Sequence, residues 1–315
     1  MIKDMVMTKI GDLDVSPLAL GGNVFGWTAD RERSFEVLDA YVAGGGTFLD
    51  TADQYSAWVQ GNGGGESETI IGDWTASRRN RDDLVIATKG GRHPDHMGLS
   101  APTMRAAVDD SLKRLRTDRI DLYYTHFDDP SVPVEEIMTT LDELVTAGKI
   151  RQIAVSNVEP DRLRASLEFS EREGTARYVA IQPHYSLVSR DTYEGARRDL
   201  AEKHGLVAVP YYGLAAGFLT GKYRPGATVD SVRAGGASKH TDTERGRNVL
   251  AALDAVAEEQ HKAVATIALA WLAARLTVAT PLASARTLDQ LPPLLDVART
   301  TLTADQATRL TEASA

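Results

Sequence analysis

Apolar runs alternate with amphipathic segments along almost the whole chain of 315 residues. The apolar, β-rich runs predict eight strands, at residues 18–21, 47–49, 84–89, 120–126, 150–157, 178–182, 206–210 and 278–282. Segments with helical periodicity predict helices between and after them, at residues 31–42, 67–74, 101–115 (with Ser100 as N-cap), 133–147, 161–173, 193–204, 249–260, 263–274, 288–298 and 304–312.

This alternation of strand and helix, with no linker between units, predicts an α/β fold whose parallel strands are joined by helical crossovers. Eight such units predict a (β/α)8 TIM barrel that forms a single domain over residues 1–315, with extra helices at its C-terminal end. Residues 5–9 and 13–16 predict a β-hairpin that closes one end. The doubly wound alternative needs a G-x-G-x-x-G loop, which the sequence lacks.

Composition narrows the function classes. Hydrophobic residues make up 43% and charged residues 25%, as is usual for a globular protein. A formal net charge of -9, with no dense Lys/Arg cluster, argues against a nucleic-acid partner. The absence of cysteine excludes disulfides, thiolate metal sites and a cysteine nucleophile. With no long apolar stretch and no leader pattern, we expect a cytoplasmic protein with no membrane contact.

Four chemically distinctive side chains end, or follow, three consecutive predicted strands. Asp50 follows the second strand, Tyr55 comes five residues later, Lys89 ends the third strand and His126 the fourth. A single such residue at a strand end usually forms a salt bridge or caps a terminus. Because the carboxyl ends of barrel strands meet at one mouth, we expect these four to converge, which makes them candidate catalytic residues.

Residues 50–55, with the sequence DTADQY, resemble the D-T-A-x-x-Y segment of the aldo-keto reductase superfamily. The resemblance implies an NADP(H)-dependent oxidoreductase that transfers a hydride to the carbonyl carbon of a small aldehyde or ketone. It also implies that Tyr55 is the general acid and that His126 orients the carbonyl oxygen. Lys89 would favour the ionised form of Tyr55, and Asp50 would keep the buried ammonium charged.

The resemblance extends to an NADP(H) groove without a Rossmann fold. It implies that strand-end residues hold the nicotinamide and that two loops hold the phosphates: Ser156, Asn157 and Gln182 at the carboxamide, Tyr211 or its neighbour Tyr212 on the ring, Leu214, Gly217 and Lys222 at the pyrophosphate, and Ser284, Arg286 and Gln290 at the 2′-phosphate. Arg286 favours NADP(H) over NAD(H). Pro293 and Leu294 replace the acid and asparagine that contact adenine in most of the family.

Several features leave alternatives open. Trp27, Trp58 and Phe127 are candidates for the substrate pocket, and the glycine-rich loop 57–65 is either a cap or mobile surface. A second glycine-rich stretch, 224–247, predicts a flexible segment, and its closure over the cofactor is a hypothesis.

The spacing of His93 and His96 is weakly typical of a metal site, but no third ligand is evident and no metal is predicted. A non-catalytic NADP(H)-binding barrel with a regulatory or redox-sensing role is the main alternative function. A barrel hydrolase ranks last, because G-x-S-x-G and H-E-x-x-H are absent. The physiological substrate, the reaction direction, the oligomeric state and any partner protein stay open.

Overall fold

The computed structural model describes residues 6–224, 226, 229, 232 and 234–315. The strands in this part of the chain are β1 (Thr8–Ile10), β2 (Leu13–Val15), β3 (Ala19–Gly21), β4 (Phe48–Asp50), β5 (Val85–Gly90), β6 (Arg92–His93), β7 (His96–Met97), β8 (Ile120–Thr125), β9 (Ile150–Ser156), β10 (Tyr178–Gln182), β11 (Val207–Ala208) and β12 (Leu282–Ala283).

The helices in the same part of the chain are α1 (Arg31–Ala43), α2 (Glu66–Arg78), α3 (Ala101–Leu115), α4 (Val134–Thr146), α5 (Pro160–Glu173), α6 (Ala196–His204), α7 (Ala234–Thr241), α8 (Glu244–Gln260), α9 (Val264–Ala273), α10 (Leu291–Leu295) and α11 (Ala304–Ala313). Short 3-10 helices lie at Arg81–Asp83, Ala215–Thr220, Leu288–Gln290 and Asp296–Arg299. None of the helices in the described residues combines the length and apolarity that a membrane crossing requires.

Eight of the strands form one parallel sheet in the order β11-β10-β9-β8-β5-β4-β3-β12. Backbone hydrogen bonds join its two ends, because the amide of Ala208 donates to the carbonyl of Thr277 at 2.7 Å and the amide of Ala279 donates to that of Ala208 at 2.9 Å. The sheet therefore closes on itself with helices outside it. This confirms the predicted (β/α)8 barrel.

The antiparallel hairpin of β1 and β2 covers the amino-terminal end of the barrel. Gly11 turns the hairpin with a φ of +59°, a left-handed conformation that glycine adopts without strain. Ile10, Leu13 and Val15 are buried against inward-facing residues at the start of the strands, among them Phe48. The predicted hairpin is thus confirmed, and the opposite end of the barrel stays open.

The larger hydrophobic core lies between the strands and the helices. Helix α4 shows why its sequence folds this way, since Ile137, Leu141 and Leu144 recur at helical spacing and all three are buried. The parallel strands inside the helices run in the same direction, so their carboxyl ends meet at one mouth.

Two predicted boundaries differ because of glycine and proline. Helix α6 begins at Ala196 and not at residue 193, since Gly195 has φ 91° and ψ −135°, which no helix accommodates. The last strand is Leu282–Ala283 and not 278–282, because Pro281 has no amide hydrogen to donate to a ladder. Residue 278 contributes only an isolated bridge to Ala208.

The predicted helix 288–298 is also interrupted. It consists of two 3-10 segments around the short α10, because Pro292 and Pro293 remove two consecutive helix donors. Ser100 occupies the N-cap position of α3, as predicted, but its hydroxyl bonds to the Thr103 hydroxyl at 2.8 Å and caps no amide.

The stretch 224–247, predicted to be a flexible segment, contains regular helices over its second half. Helix α7 occupies Ala234–Thr241, and α8 begins at Glu244 with the Thr243 side chain accepting from the Gly246 amide at 3.0 Å. Ala237 is buried, and a Cβ on Gly236 would come within 3.2 Å of Ala216, so small residues let α7 pack closely. Residues 225, 227, 228, 230, 231 and 233 lie outside the described residues.

Candidate active site

A cavity of about 960 Å³ opens at the carboxyl ends of the strands. Its size lies near the upper end of the roughly 300–1,000 Å³ that is usual for small-molecule pockets, which leaves room for a large ligand. Every site residue predicted from the sequence lines this cavity except Lys89. The structure therefore brings the candidate residues together at one mouth, with Lys89 just beneath the surface.

Lys89 lies at the centre of the candidate catalytic group of Asp50, Tyr55, Lys89 and His126. Its Nζ donates to Asp50 Oδ1 at 2.5 Å, to the Thr51 carbonyl at 2.7 Å and to the Tyr55 hydroxyl at 3.2 Å. The side chains of Lys89 and Asp50 are 1% and 0% exposed, so this pair is removed from water. In the pairing of β4 with β5, Asp50 lies opposite Ala87, two residues before Lys89 on the same face of the sheet. The loop after β4 brings Tyr55 back over this pair.

The charge on Lys89 is maintained by its partners. Burial opposes the ammonium form, but the Asp50 carboxylate and the Tyr55 hydroxyl outweigh it and raise the pKa of Lys89 above its usual value. A buried charge that loses its partner destabilises a protein strongly. The raised pKa favours the ammonium form of Lys89 at neutral pH, and Asp50 is the first of the groups that raise it.

Two opposing effects act on the pKa of the Tyr55 hydroxyl. Burial raises the pKa of its hydroxyl, and Lys89 lowers it; the net pKa lies above the usual 10.0. Lys89 thus acts in the direction expected from the sequence, while burial reverses the net shift. Consequently Tyr55 carries its proton at neutral pH and is able to donate it into the cavity.

His126 follows β8 and is held by its backbone, whose amide donates to the Gly90 carbonyl at 3.0 Å. Burial first, and then the cations Lys89 and Arg92, lower the pKa of the imidazole well below its usual value. Its Nδ1 is buried and has no hydrogen-bond partner among the described residues. The ring centroid lies 6.1 Å from that of Tyr55, so a neutral imidazole stands beside the phenol.

The residues predicted to hold a carboxamide form a hydrogen-bonded chain. Asn157 Nδ2 donates to the His126 carbonyl at 3.0 Å, and Asn157 Oδ1 accepts from the Tyr211 hydroxyl at 2.8 Å. Ser156 Oγ donates to the Gln182 carbonyl at 2.9 Å, and Gln182 Nε2 donates to Asp50 Oδ2 at 2.8 Å. The chain links Asp50 and His126 to the next three strands and fixes the orientation of its amides.

Tyr211 and Tyr212 differ in their surroundings. His184 stacks on the Tyr211 ring at a centroid distance of 5.5 Å, whereas Tyr212 meets the same imidazole at an interplanar angle of 62°. Tyr212 is 51% exposed and has a φ of +55°. The hydrogen bond to Asn157 and the covered ring face favour Tyr211 as the platform for a flat ligand.

The loop with Leu214, Gly217 and Lys222 has an unusual backbone. Ala215 and Ala216 have φ of +47° and +56°, which costs a residue with a Cβ roughly 1–2 kcal/mol. Strain of this kind concentrates at ligand-binding turns. All three predicted residues of this loop line the cavity.

The far end of the cavity contains the third predicted group. Ser284 Oγ donates to Asn23 Oδ1 at 2.7 Å, and the Arg286 amide donates to Gln290 Oε1 at 3.0 Å. The Arg286 guanidinium forms no ion pair within the part of the chain that the structure describes. A guanidinium at a cavity mouth suits a phosphate group, so these residues fit the predicted cofactor.

Aromatic side chains form a wall beside Tyr55. The rings of Trp27 and Trp58 meet edge to face at 5.6 Å, and Trp58 meets Tyr55 at 6.2 Å. Phe127 stacks on His126 at 5.1 Å. Trp58 is 51% exposed, so part of its ring is available to a ligand. This aromatic wall agrees with the pocket predicted from the loop sequences.

The loop 57–65 and the two histidines with metal-like spacing are held by contacts within the protein. The amides of Gly63 and Gly64 donate to the Glu66 carboxylate at 2.8 to 3.2 Å, which orders the end of the loop. His93 and His96 pair across the small β6–β7 hairpin, where His96 Nε2 lies 2.8 Å from Asp110 Oδ2. No group of three metal-binding side chains occurs within the described residues.

Sequence reasoning overlooked Asn23, Asp53 and Tyr124. Asn23 lies two residues beyond β3 and lines the cavity, and a polar residue after the first strand was the available signal. Asp53 lies within the DTADQY segment and was overlooked because its acceptor role is directed at backbone amides. Tyr124 is fully buried with its ring 5.7 Å from Lys89 Nζ, and nothing distinguished it from a core residue.

Comparison with known proteins gives a consistent result. The model of the aldo/keto reductase family matches residues 17–315. The norsolorinic acid reductase stcV of Emericella nidulans is 33% identical over 91% of this chain and 75% of its own length. Protein tas of Escherichia coli is 33% identical over 89% of this chain and 88% of its own. The aryl-alcohol dehydrogenase [NADP(+)] of Phanerodontia chrysosporium is 29% identical over 93% and 81%, respectively.

Proposed function

The chain belongs to the aldo/keto reductase family, and on this premise we propose that it reduces an aldehyde or ketone by hydride transfer from NADPH, with Tyr55 as the general acid. The family and the named relatives make it an oxidoreductase. One observation carries the finer proposal: Lys89 Nζ contacts both the Asp50 carboxylate and the Tyr55 hydroxyl at the edge of a large cavity.

NADPH, when bound, supplies the hydride. The residues that would hold it are Ser156, Asn157, Gln182 and Tyr211 at the nicotinamide, Leu214, Gly217 and Lys222 at the pyrophosphate, and Ser284, Arg286 and Gln290 at the 2′-phosphate. The guanidinium of Arg286, which has no ion pair among the described residues, supports NADP(H) over NAD(H), because phosphate binds well to a fork of N–H donors. One relative is itself named for NADP(+).

Tyr55 would deliver the proton to the carbonyl oxygen. Its hydroxyl is protonated at neutral pH, and Lys89 stabilises the phenolate that remains after the proton leaves. Asp50 keeps Lys89 charged and in place throughout. A positioned acid of this kind contributes about 10²–10⁴ in rate.

His126 would orient the carbonyl oxygen. Because its pKa is depressed, the ring is neutral and has one N–H to donate, and it does not compete with Tyr55 as an acid. Phe127 stacks on the His126 ring, and the side chains of Lys89 and Asp50 are removed from water. A low-water site strengthens each of these interactions.

An aryl carbonyl is the substrate class that fits best. The wall of Trp27 and Trp58 presents aromatic edges and faces beside Tyr55, which favour a flat ring within van der Waals contact. The name of one relative, aryl-alcohol dehydrogenase, is consistent with this choice.

The test is NADPH oxidation with a panel of aryl and alkyl aldehydes, ketones, dicarbonyls and quinones, for the natural sequence and for Tyr55→Phe. We expect turnover by the former and a loss of ~10² or more in the latter, with equal NADPH affinity by fluorescence titration. Full activity of Tyr55→Phe would remove Tyr55 from the mechanism. NADPH binding with no turnover by either protein would favour a regulatory or sensing barrel.

A further inference from the structure

Asp53 is a buried acidic residue between Asp50 and Tyr55 in the sequence, and it takes no part in the proposed mechanism. It stands in the loop after β4, three residues beyond Asp50 and two before Tyr55, and it is 0% exposed. Its amide donates to the Lys89 carbonyl at 2.9 Å. One acidic residue therefore lies against the strand that carries the catalytic lysine.

The carboxyl group of Asp53 makes a second connection to the same strand. Its Oδ2 accepts from the amides of Gly91 at 3.2 Å and His93 at 3.3 Å, just beyond the end of β5. Gly91 has a φ of +99°, so the chain leaves the barrel there in a conformation that side chains rarely adopt. Asp53 thus fastens the turn after Lys89 to the loop that carries Tyr55.

The surroundings of Asp53 do not favour its charge. Glu68 faces it from α2, Arg114 from α3, Tyr123 from β8 and His93 from the β6–β7 hairpin. Arg114 is paired with Glu68, its Nε lying 2.6 Å from Glu68 Oε2. Burial first, and then Glu68, raise the pKa of Asp53 to about 7.

The second oxygen of Asp53 provides independent evidence. Oδ1 is buried and has no hydrogen-bond partner among the described residues. A buried polar atom without a partner lowers stability, and natural sequences keep such features mainly where function requires them. An apolar residue at this position would avoid that loss but would not bind the two amides.

We infer that Asp53 is a positioning residue whose carboxyl group ties the Tyr55 loop to the strand of Lys89 and so sets the contact between the Lys89 ammonium and the Tyr55 hydroxyl. That contact is 3.2 Å long and joins two separate segments of chain. The inference rests on the proposed role of Tyr55 as general acid. Misplacement of a reacting group by about 1 Å typically lowers a rate by about 10².

The test compares Asp53→Leu, which has a similar shape but no acceptor, with Asp53→Asn, which keeps an acceptor for the two amides. We expect kcat to fall by ~10-fold or more in Asp53→Leu, with KM for NADPH changed by less than about 3-fold. Asp53→Asn should recover kcat to within about 3-fold of the natural sequence. Asp53→Ser, whose hydroxyl is too short to reach both amides, replaces the leucine variant if that variant does not fold.

The pH profile separates positioning from a general loss of structure. Because Lys89 lowers the pKa of Tyr55, a looser contact raises it. The rising limb of kcat/KM for alcohol oxidation, which follows the ionisation of Tyr55, should move up by roughly half a pH unit or more in Asp53→Leu and stay in place in Asp53→Asn.

An unchanged kcat and profile in Asp53→Leu, or an equal loss in both variants, would overturn the inference. Tyr55→Phe is measured alongside them. If that variant keeps full activity, the proposed function fails and not the Asp53 inference alone.

Discussion

Two buried ion pairs lie on opposite faces of the same strand, and only one of them faces the cavity. Lys89 and Thr88 are neighbours in β5 and therefore point to opposite sides of the sheet. Lys89 pairs with Asp50 inside the barrel at 2.5 Å. Behind the sheet, Thr88 donates to Glu68, which pairs with Arg114 at 2.6 Å beneath α2 and α3.

The difference between the pairs is their third partner. Both oxygens of Glu68 are used, one by Thr88 and one by Arg114, so the outer pair is complete. The inner pair extends to the Tyr55 hydroxyl, which lines the cavity. Similar chemistry thus supports the fold on one face of the strand and, in the proposed mechanism, activates a proton donor on the other.

The largest effect is expected from the inner pair. Lys89→Met should lower kcat/KM by ~10² or more, because Tyr55 loses the cation that stabilises its phenolate. It should also destabilise the fold by about 3–5 kcal/mol, since Asp50 is left buried and unpaired. Adding Asp50→Asn should restore most of the stability but none of the activity. Chemical denaturation and NADPH turnover measure the two effects, and a double variant with restored turnover would contradict the account.

The outer pair should behave differently. Arg114→Met should cost about 2–4 kcal/mol of stability, a range reduced from that of fully buried pairs because Arg114 is 18% exposed. Turnover per folded molecule should stay within about 3-fold, because neither Arg114 nor Glu68 lines the cavity. The matched double variant with Glu68→Gln should recover stability. A loss of turnover as large as that of Lys89→Met would erase the distinction between the two faces.

Asp53 contacts the backbone of Lys89 and faces Glu68. Its protonation should change how the free energy of unfolding depends on pH. Its pKa of about 7 in the folded protein exceeds the usual 3.8, so the natural sequence loses stability as pH rises from about 4 to about 7. The Asp53→Asn variant has no carboxyl group at this position and does not lose stability in this way. Its stability relative to the natural sequence should therefore increase by about 2 kcal/mol between pH 5 and pH 8, measured by denaturant titration at both. A constant difference across that range would show that Asp53 has an ordinary pKa.

The smallest effect is expected at the residue beside Lys89. Thr88→Val keeps the shape of the side chain but removes its hydrogen bond to Glu68, which should cost about 1–2 kcal/mol. Turnover should not change, although the substitution is adjacent to Lys89 in the sequence. A thermal melt and an NADPH assay of the same preparation check both expectations; reduced turnover would mean that the strand transmits changes between its faces.

The features that local pattern encodes were predictable. Lys89 and His126 end apolar strands, and the alternation of strands with amphipathic helices indicates where those ends meet. The link from Asp53 to the amides of Gly91 and His93 was not predictable, because almost every residue type has a backbone amide that can donate such a bond. The pairing of Glu68 with Arg114 joins residues 46 positions apart, which needs the packed fold to appear.

Small residues explain two further features that the local pattern did not indicate. Helix α7 is rich in alanine and glycine, and its stability comes from packing against the loop at Ala216 and not from a visible apolar stripe. The φ of +56° at Ala216 is a conformation for which sequence rules favour glycine. In both places a tertiary contact overrides a local preference.

The most direct test of the central claim is to follow the hydride itself. NADPH carrying deuterium at C4 of the nicotinamide, on one face or the other, is incubated with an aryl aldehyde that the protein reduces. The account predicts deuterium at the carbinol carbon for one of the two labelled cofactors, and a rate at least ~10² lower with Tyr55→Phe. Alcohol formed without deuterium from either cofactor would contradict hydride transfer as the reaction of this site.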